Sequence, residues 1–307
     1  MAEKDIAEKT FMSLNDVFAD VFNVLVFQGE HVVKEEELVD GSSRSQYKAD
    51  DGMLHEQERD TCKLWQRNRM NLVFAGIENQ TEPDKDMPFR IISYDGASYR
   101  SQLLKTEETK KDGEIKRVAS KERYPVVTII LYFGKNKWNY STHLKDCFHP
   151  ELPEDTSTLL LNEYIQDYKA HVFDIPRLPK ETVRKFQSDF RVVAEYFTNV
   201  YTNPDYRPED MVICHVDEFL KLLYVLTGDI KYENMTKALT EQERGGLTMC
   251  RVLDYHEELG EARGLRKGEE RLSKLIQSLL ADKLYDIIAL VTSDKMARET
   301  YYKKYSI

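Results

Sequence analysis

The chain has 307 residues, 41% apolar and 32% charged, a globular balance that excludes a disordered chain. Its net charge of −10 excludes a surface that is basic throughout, so a polyanionic partner has to be met by a local patch. The longest apolar run, Val126 to Phe133, falls far short of the roughly 20 residues that cross a bilayer.

The start, MAEKDIAEKT, mixes charges and has no apolar core of the signal-peptide kind. Cys62, Cys147, Cys214 and Cys250 are scattered with no C-x-x-C pair, which fits free thiols in a reducing compartment. The expectation is a cytoplasmic protein with no membrane association. Charge is unevenly spread: residues 1–60 carry 6 Lys and Arg against 15 Asp and Glu, whereas residues 61–150 carry 16 against 11. Any phosphate is therefore to be met in the middle segment.

The first element reads as a helix, because Phe11, Leu14, Phe18, Val21, Phe22, Leu25 and Val26 recur at helical spacing before Gly29. Asp16 and Asp20 lie four apart on one face of it. A short strand is expected at His31 to Lys34, and the polar, turn-rich stretch Asp40 to Gln57 reads as a loop. Two strands follow, one around Asp60 and one over Asn71 to Asn79, the second apolar enough to be covered on both faces. Met87 to Leu104 reads as a helix with Pro88 in its first turn, where the missing N–H costs nothing. Residues 105–123 form a charged excursion. Pro125 to Phe133 is the strongest strand, and Lys169 to Ile175 is a further core strand. This order indicates an α/β sheet with helices packed on it.

After Pro179 the pattern turns helical, with helices expected at 181–202, 208–227 and 235–259. Gly260, Gly264 and Gly268 repeat at every fourth residue, and Leu272, Leu275, Ile276, Leu279 and Leu280 form an apolar stripe beyond them. The stripe needs a partner surface, supplied either by a second copy or by fold-back on residues 181–250. Two domains are expected, residues 1–180 and a helical region of residues 181–307.

The chemistry is concentrated between Asp60 and Gln80. An almost unbroken apolar strand ends in Ile77-Glu78-Asn79-Gln80, and Glu78 and Gln80, two apart, share a face. A carboxylate near a core is costly unless it is paired, hydrogen-bonded or holding a cation. Two carboxylates with a carbonyl and waters suit Mg²⁺. From the residues alone a structural role stays open: Asp60 could cap a turn and Glu78 could pair with Arg90. His143, Cys147 and His149 make an H-x3-C-x-H that lacks the fourth ligand of structural zinc. Cys214-His215 lacks a third member for thiol catalysis.

Phe18-Ala19-Asp20-Val21-Phe22-Asn23, Arg59-Asp60, Gly76-Ile77-Glu78-Asn79-Gln80-Thr81, Met87-Pro88-Phe89-Arg90 and Tyr94-Asp95 together resemble the recombination-promoting nuclease / putative transposase family, which is similar to the PD-(D/E)XK nuclease superfamily. Pro125 to Phe133 with Trp138, the stretch Phe186 to Phe190 and the glycine repeat extend the resemblance over most of the chain. It implies an α/β fold with a restriction-endonuclease-like mixed sheet flanked by helices, followed by the helical C-terminal region. It also implies that Asp60 and Glu78 are metal ligands, that Asp20 adds a third acid with Asp16 as the poorer candidate, and that Gln80 stands where the superfamily has lysine. Arg90, Tyr94 and Gln102 would then meet phosphate. The implied activity is Mg²⁺-dependent DNA endonuclease action, with Mn²⁺ as a substitute, linked to recombination or mobile DNA. The rival reading is a catalytically inactive nuclease fold kept as an interaction protein.

Overall fold

The computed structural model describes residue 7 and residues 9–41, 44–48, 54–68, 70–111, 114–148, 163–203, 206 and 208–307. Helix α1 (Asn15–Leu25) arises where the apolar side chains recur at helical spacing; Phe18, Val21 and Phe22 are buried, with Phe18 and Phe22 stacked at 4.9 Å. The chain leaves the helix through Gln28 and Gly29, both at positive φ, the latter at 96°. No strand forms at His31 to Lys34. The backbone there is satisfied by a side chain instead: Asn23 accepts from the N–H groups of Val32 and Val33 and donates to the Val33 carbonyl. The strand comes one turn later, as β1 (Leu38–Asp40).

The stretch expected as a loop contains an antiparallel hairpin, β2 (Arg44–Lys48) with β3 (Leu54–Glu58), inserted between β1 and its sheet neighbour β4 (Thr61–Arg67). A two-stranded ribbon that pairs only with itself needs no apolar alternation, which is why its polar sequence conceals it. The charged excursion at 105–123 is the same kind of element, a hairpin of β6 (Thr106–Lys111) and β7 (Glu114–Ala119).

The main sheet is built on β5 (Met70–Gln80), buried without interruption from Phe74 to Asn79. It pairs antiparallel with β4 on one side and parallel with β8 (Val126–Tyr132) on the other. Adding β9 (His171–Asp174) beside β8 gives a mixed five-stranded sheet in the order β1-β4-β5-β8-β9. Helix α2 (Met87–Leu104) forms as the sequence indicates, with Pro88 in the first turn. Its Met87, Ile91 and Tyr94 pack on Ile130 of β8 and on Ala170. Ile130 is in register with Glu78, so Glu78 lies on the sheet face that α2 covers.

The C-terminal half is more finely divided than three long helices. It comprises α3 (Lys180–Val183), α4 (Phe190–Val200), α5 (Val216–Thr227), α6 (Ile230–Ala238), α7 (Glu241–Arg244), α8 (Met249–Ala281), α9 (Tyr285–Ser293) and α10 (Lys295–Tyr305). Gly228, at φ 72°, ends α5, and the side chains of Asp229, Thr240 and Thr248 cap the starts of α6, α7 and α8. The chain divides into two compact units, Met1–Leu247 and Thr248–Ile307.

In the second unit, Leu275 and Leu279 of α8 are buried against Val291 of α9 and Tyr302 of α10. Leu275 and Leu279 of the apolar stripe thus find their cover in the chain's own last two helices, while Leu280 stays exposed. Arg271 stacks 4.2 Å from the Tyr302 ring and donates to the Ile307 carbonyl. Gly260, Gly264 and Gly268 lie inside α8, exposed, and a Cβ at any of them would meet nothing within 4 Å.

Candidate active site

Asp60 stands at the entry to β4, and Glu78 lies near the end of β5. The antiparallel register that pairs Thr61 with Ile77 brings the two acids side by side. The contact is made through the main chain as well. Asp60 Oδ2 accepts from the Asn79 N–H at 2.7 Å.

Glu78 is 1% exposed, and its Oε1 has no hydrogen-bond partner among the described residues. Burial, then the negative charge of Asp60, pushes its carboxyl up to about 8, against the opposing pull of Arg90 and Arg59. Oε2 lies 3.7 Å from Arg90 Nη2. Arg90 sits on α2, one turn before Tyr94, with its side chain 37% exposed. Its Nη1 donates to Asp84 at 2.9 Å and its Nη2 lies 3.5 Å from the Tyr94 hydroxyl. A cation at the rim is thus held by fixed partners while part of it reaches solvent. Burial, then the Glu78 charge, raises the Tyr94 phenol and keeps it a donor. Gln80, half-buried at the end of β5, shares the Glu78 face by strand alternation.

Other expected members are engaged elsewhere. Asp20 Oδ2 accepts from the N–H groups of Gln187 and Ser188 and from the Ser188 hydroxyl, at 2.8, 2.8 and 2.7 Å, tying α1 to the turn before α4. Asp16 pairs with His215 Nε2 at 2.9 Å. Among the described residues no group of three or more His, Cys, Asp or Glu is placed to hold a metal ion. Gln102 is buried and clamps the main chain of Tyr124, donating to its carbonyl and accepting from its N–H, both at 3.0 Å. It fixes the entry to β8. His143 Nδ1 bonds Asp167 at 2.6 Å, and the Cys147 thiol points at the carbonyls of Lys85 and His143. His149 lies outside the described residues.

A hub of buried polar groups lies beneath the site. Asp95, 2% exposed on α2, accepts from Arg59 Nη2 and Thr128 Oγ1, each at 2.6 Å, and from the Tyr168 hydroxyl. The signal was an acid directly after Tyr94 on the helix face that carries Met87 and Ile91. Gly76 leaves room for the hub: a Cβ there would lie 3.1 Å from Thr128 Oγ1 and 3.2 Å from Arg59 Nη1.

A mixed sheet flanked by helices, with paired acids at adjacent strand ends, defines an α/β protein of the restriction-endonuclease-like class. The chain belongs to the family described as "Putative transposase, YhgA-like", a PD-(D/E)XK-like nuclease family whose model matches residues 60–213, half of the chain. The match begins at Asp60 and takes in Glu78, Gln80, Arg90 and Asp95, while Asp20 precedes it. No curated protein and no solved structure matches the chain. Among the described residues no helix is long and apolar enough to cross a membrane.

Proposed function

We propose that this chain is a Mg²⁺-dependent DNA endonuclease, hydrolysing phosphodiester bonds in recombination or the movement of mobile DNA. The observation that carries the reading is Glu78: a buried carboxyl, raised to about 8, with one oxygen lacking a partner among the described residues and a second carboxylate beside it. Two carboxyls held side by side near a core are costly to ionise, and a divalent cation offsets that cost for both at once. The donors fit Mg²⁺, which binds through one or two carboxylates and otherwise keeps waters and phosphate oxygens; Mn²⁺ takes the same donors. When bound, such an ion supplies positive charge toward the scissile phosphate and acidifies water.

The chain's own residues do the rest. Arg90, anchored by Asp84 and Tyr94, presents guanidinium N–H groups to a phosphate oxygen. Gln80 offers an amide that can orient a water but cannot take its proton. The chemistry is assigned to residues 1–180, with the helical region 181–307 in support. Membership of a family described as putative transposases supports DNA as the partner class.

A plasmid-nicking assay with and without Mg²⁺, run beside Glu78→Ala, tests this. Cutting by the wild type that requires the ion and disappears in the variant is the expected result. A folded wild type that neither cuts nor binds Mn²⁺ overturns it. That outcome would favour a nuclease fold retained for interaction, a reading supported by glutamine at position 80.

A further inference from the structure

The Arg59–Asp95 pair is an expensive thing to bury. Both side chains are 3% exposed, and Arg59 Nη1 has no partner among the described residues. A buried ion pair seldom gains more from attraction than it loses in desolvation, and an unsatisfied guanidinium nitrogen adds to the deficit. The surroundings are nevertheless shaped to hold it. Gly76 gives up its side chain to Arg59 and Thr128, and the guanidinium lies 5.4 Å from the Phe74 ring centroid and 5.7 Å from that of Tyr94.

What the arrangement fixes is one peptide unit. Arg59 contributes the carbonyl of the 59–60 peptide and Asp60 its N–H, and the register that pairs Thr61 with Ile77 sets this peptide beside Glu78. Asp60 then reaches back to the Asn79 N–H. Asp95 draws its donors from the lead-in to β4, from β8 and from the segment before β9, so it sets all three against α2. We propose that Arg59, pinned by Asp95, is a positioning residue that holds the Asp60 peptide against Glu78 and so sets the spacing of the two acids. The planar fork of arginine suits this task, because it fixes direction as well as charge. The inference rests on the nuclease reading above and adds to it a device that neither Asp60 nor Glu78 supplies.

The test uses the full chain carrying Arg59→Met with Asp95→Asn, which removes both charges and leaves Thr128 and Tyr168 an acceptor. A second variant, Arg59→Lys, keeps the charge and loses the fork. Three readouts are taken: the denaturation midpoint, Mn²⁺ affinity by electron paramagnetic resonance, and plasmid nicking. The expected result is a midpoint equal to or above that of the wild type, with Mn²⁺ affinity and nicking reduced about tenfold or more in the double variant, the scale known for groups that orient metal ligands. Arg59→Lys should fall between the two. A folded double variant that binds Mn²⁺ and nicks within about twofold of the wild type overturns the positioning role alone, since outer-shell losses run about tenfold and above. If both variants fail to fold, the pair is structural and the proposal is again overturned. A wild type with no Mn²⁺ signal and no nicking overturns the nuclease reading itself, and the inference with it.

Discussion

Glu78 ties the site to the stability of the fold. Burial lifts its carboxyl from the ordinary 4.5 to about 8, so the metal-free folded chain holds that proton more tightly than the unfolded chain. The resulting stability is complete below the unfolded value and is lost as pH rises through the folded one. Metal-free wild type should therefore lose on the order of a few kcal/mol between about pH 5 and pH 9, and Glu78→Gln should flatten that slope. Urea midpoints across the range check this; a wild-type profile as flat as the variant's would contradict it. Gln102 and Asp20 should behave differently from Glu78. Gln102→Ala strands the Tyr124 N–H and carbonyl, and Asp20→Ala strands three donors, so each should cost about 1–3 kcal/mol. Neither should change Mn²⁺ affinity; an Asp20→Ala protein that folds normally and binds Mn²⁺ more weakly would restore Asp20 as a ligand. Glu78 was legible because a polar residue ending an apolar strand breaks a pattern. Asp95 was not, because its donors at 59, 128 and 168 are distant in sequence and meet only through the topology.

Elements were legible where burial imposes a period. The strand at β5, the strand at β8 and the helix at α2 all follow from apolar runs or spacing, and the structure places them as the sequence indicates. The hairpins β2–β3 and β6–β7 were hidden because their pairing is local and polar. The helices after Pro179 were merged because their boundaries are set by caps. Asp229, Thr240 and Thr248 read as ordinary polar residues until their side chains are seen accepting main-chain N–H groups. The glycines of α8 carry an element-scale prediction. They sit in helix with open space around each Cβ position. Replacing Gly260, Gly264 and Gly268 together by alanine should stabilise the helix by about 2–3 kcal/mol, near 1 kcal/mol for each. Circular dichroism during thermal unfolding measures it. Destabilisation instead would mean that another surface, such as a second copy of the chain, approaches this stripe closely.

At the scale of the whole molecule, the apolar stripe of α8 decides what the C-terminal unit can do. Leu275 and Leu279 are fully buried, and the cover comes from Val291 and Tyr302, with Leu284, Ile287, Ile288 and Tyr305 around them. Removing residues 284–307 would uncover both leucines along one helix face, and apolar surface of that kind is driven out of water by association. The tail also locks itself in place: Tyr305 donates to Asp282, and the last carboxyl-terminal residue accepts from Arg271. Those ties make the last two helices an integral cover for the stripe. A chain truncated after Lys283 should therefore show a higher mass by light scattering than the full chain at equal concentration. Substituting Leu275 and Leu279 by glutamine in the truncated chain should return the mass to that of the full chain. Equal masses for the full and truncated chains would show that the stripe does not drive association when bared. A truncated chain that stays associated after both substitutions would place its interface elsewhere.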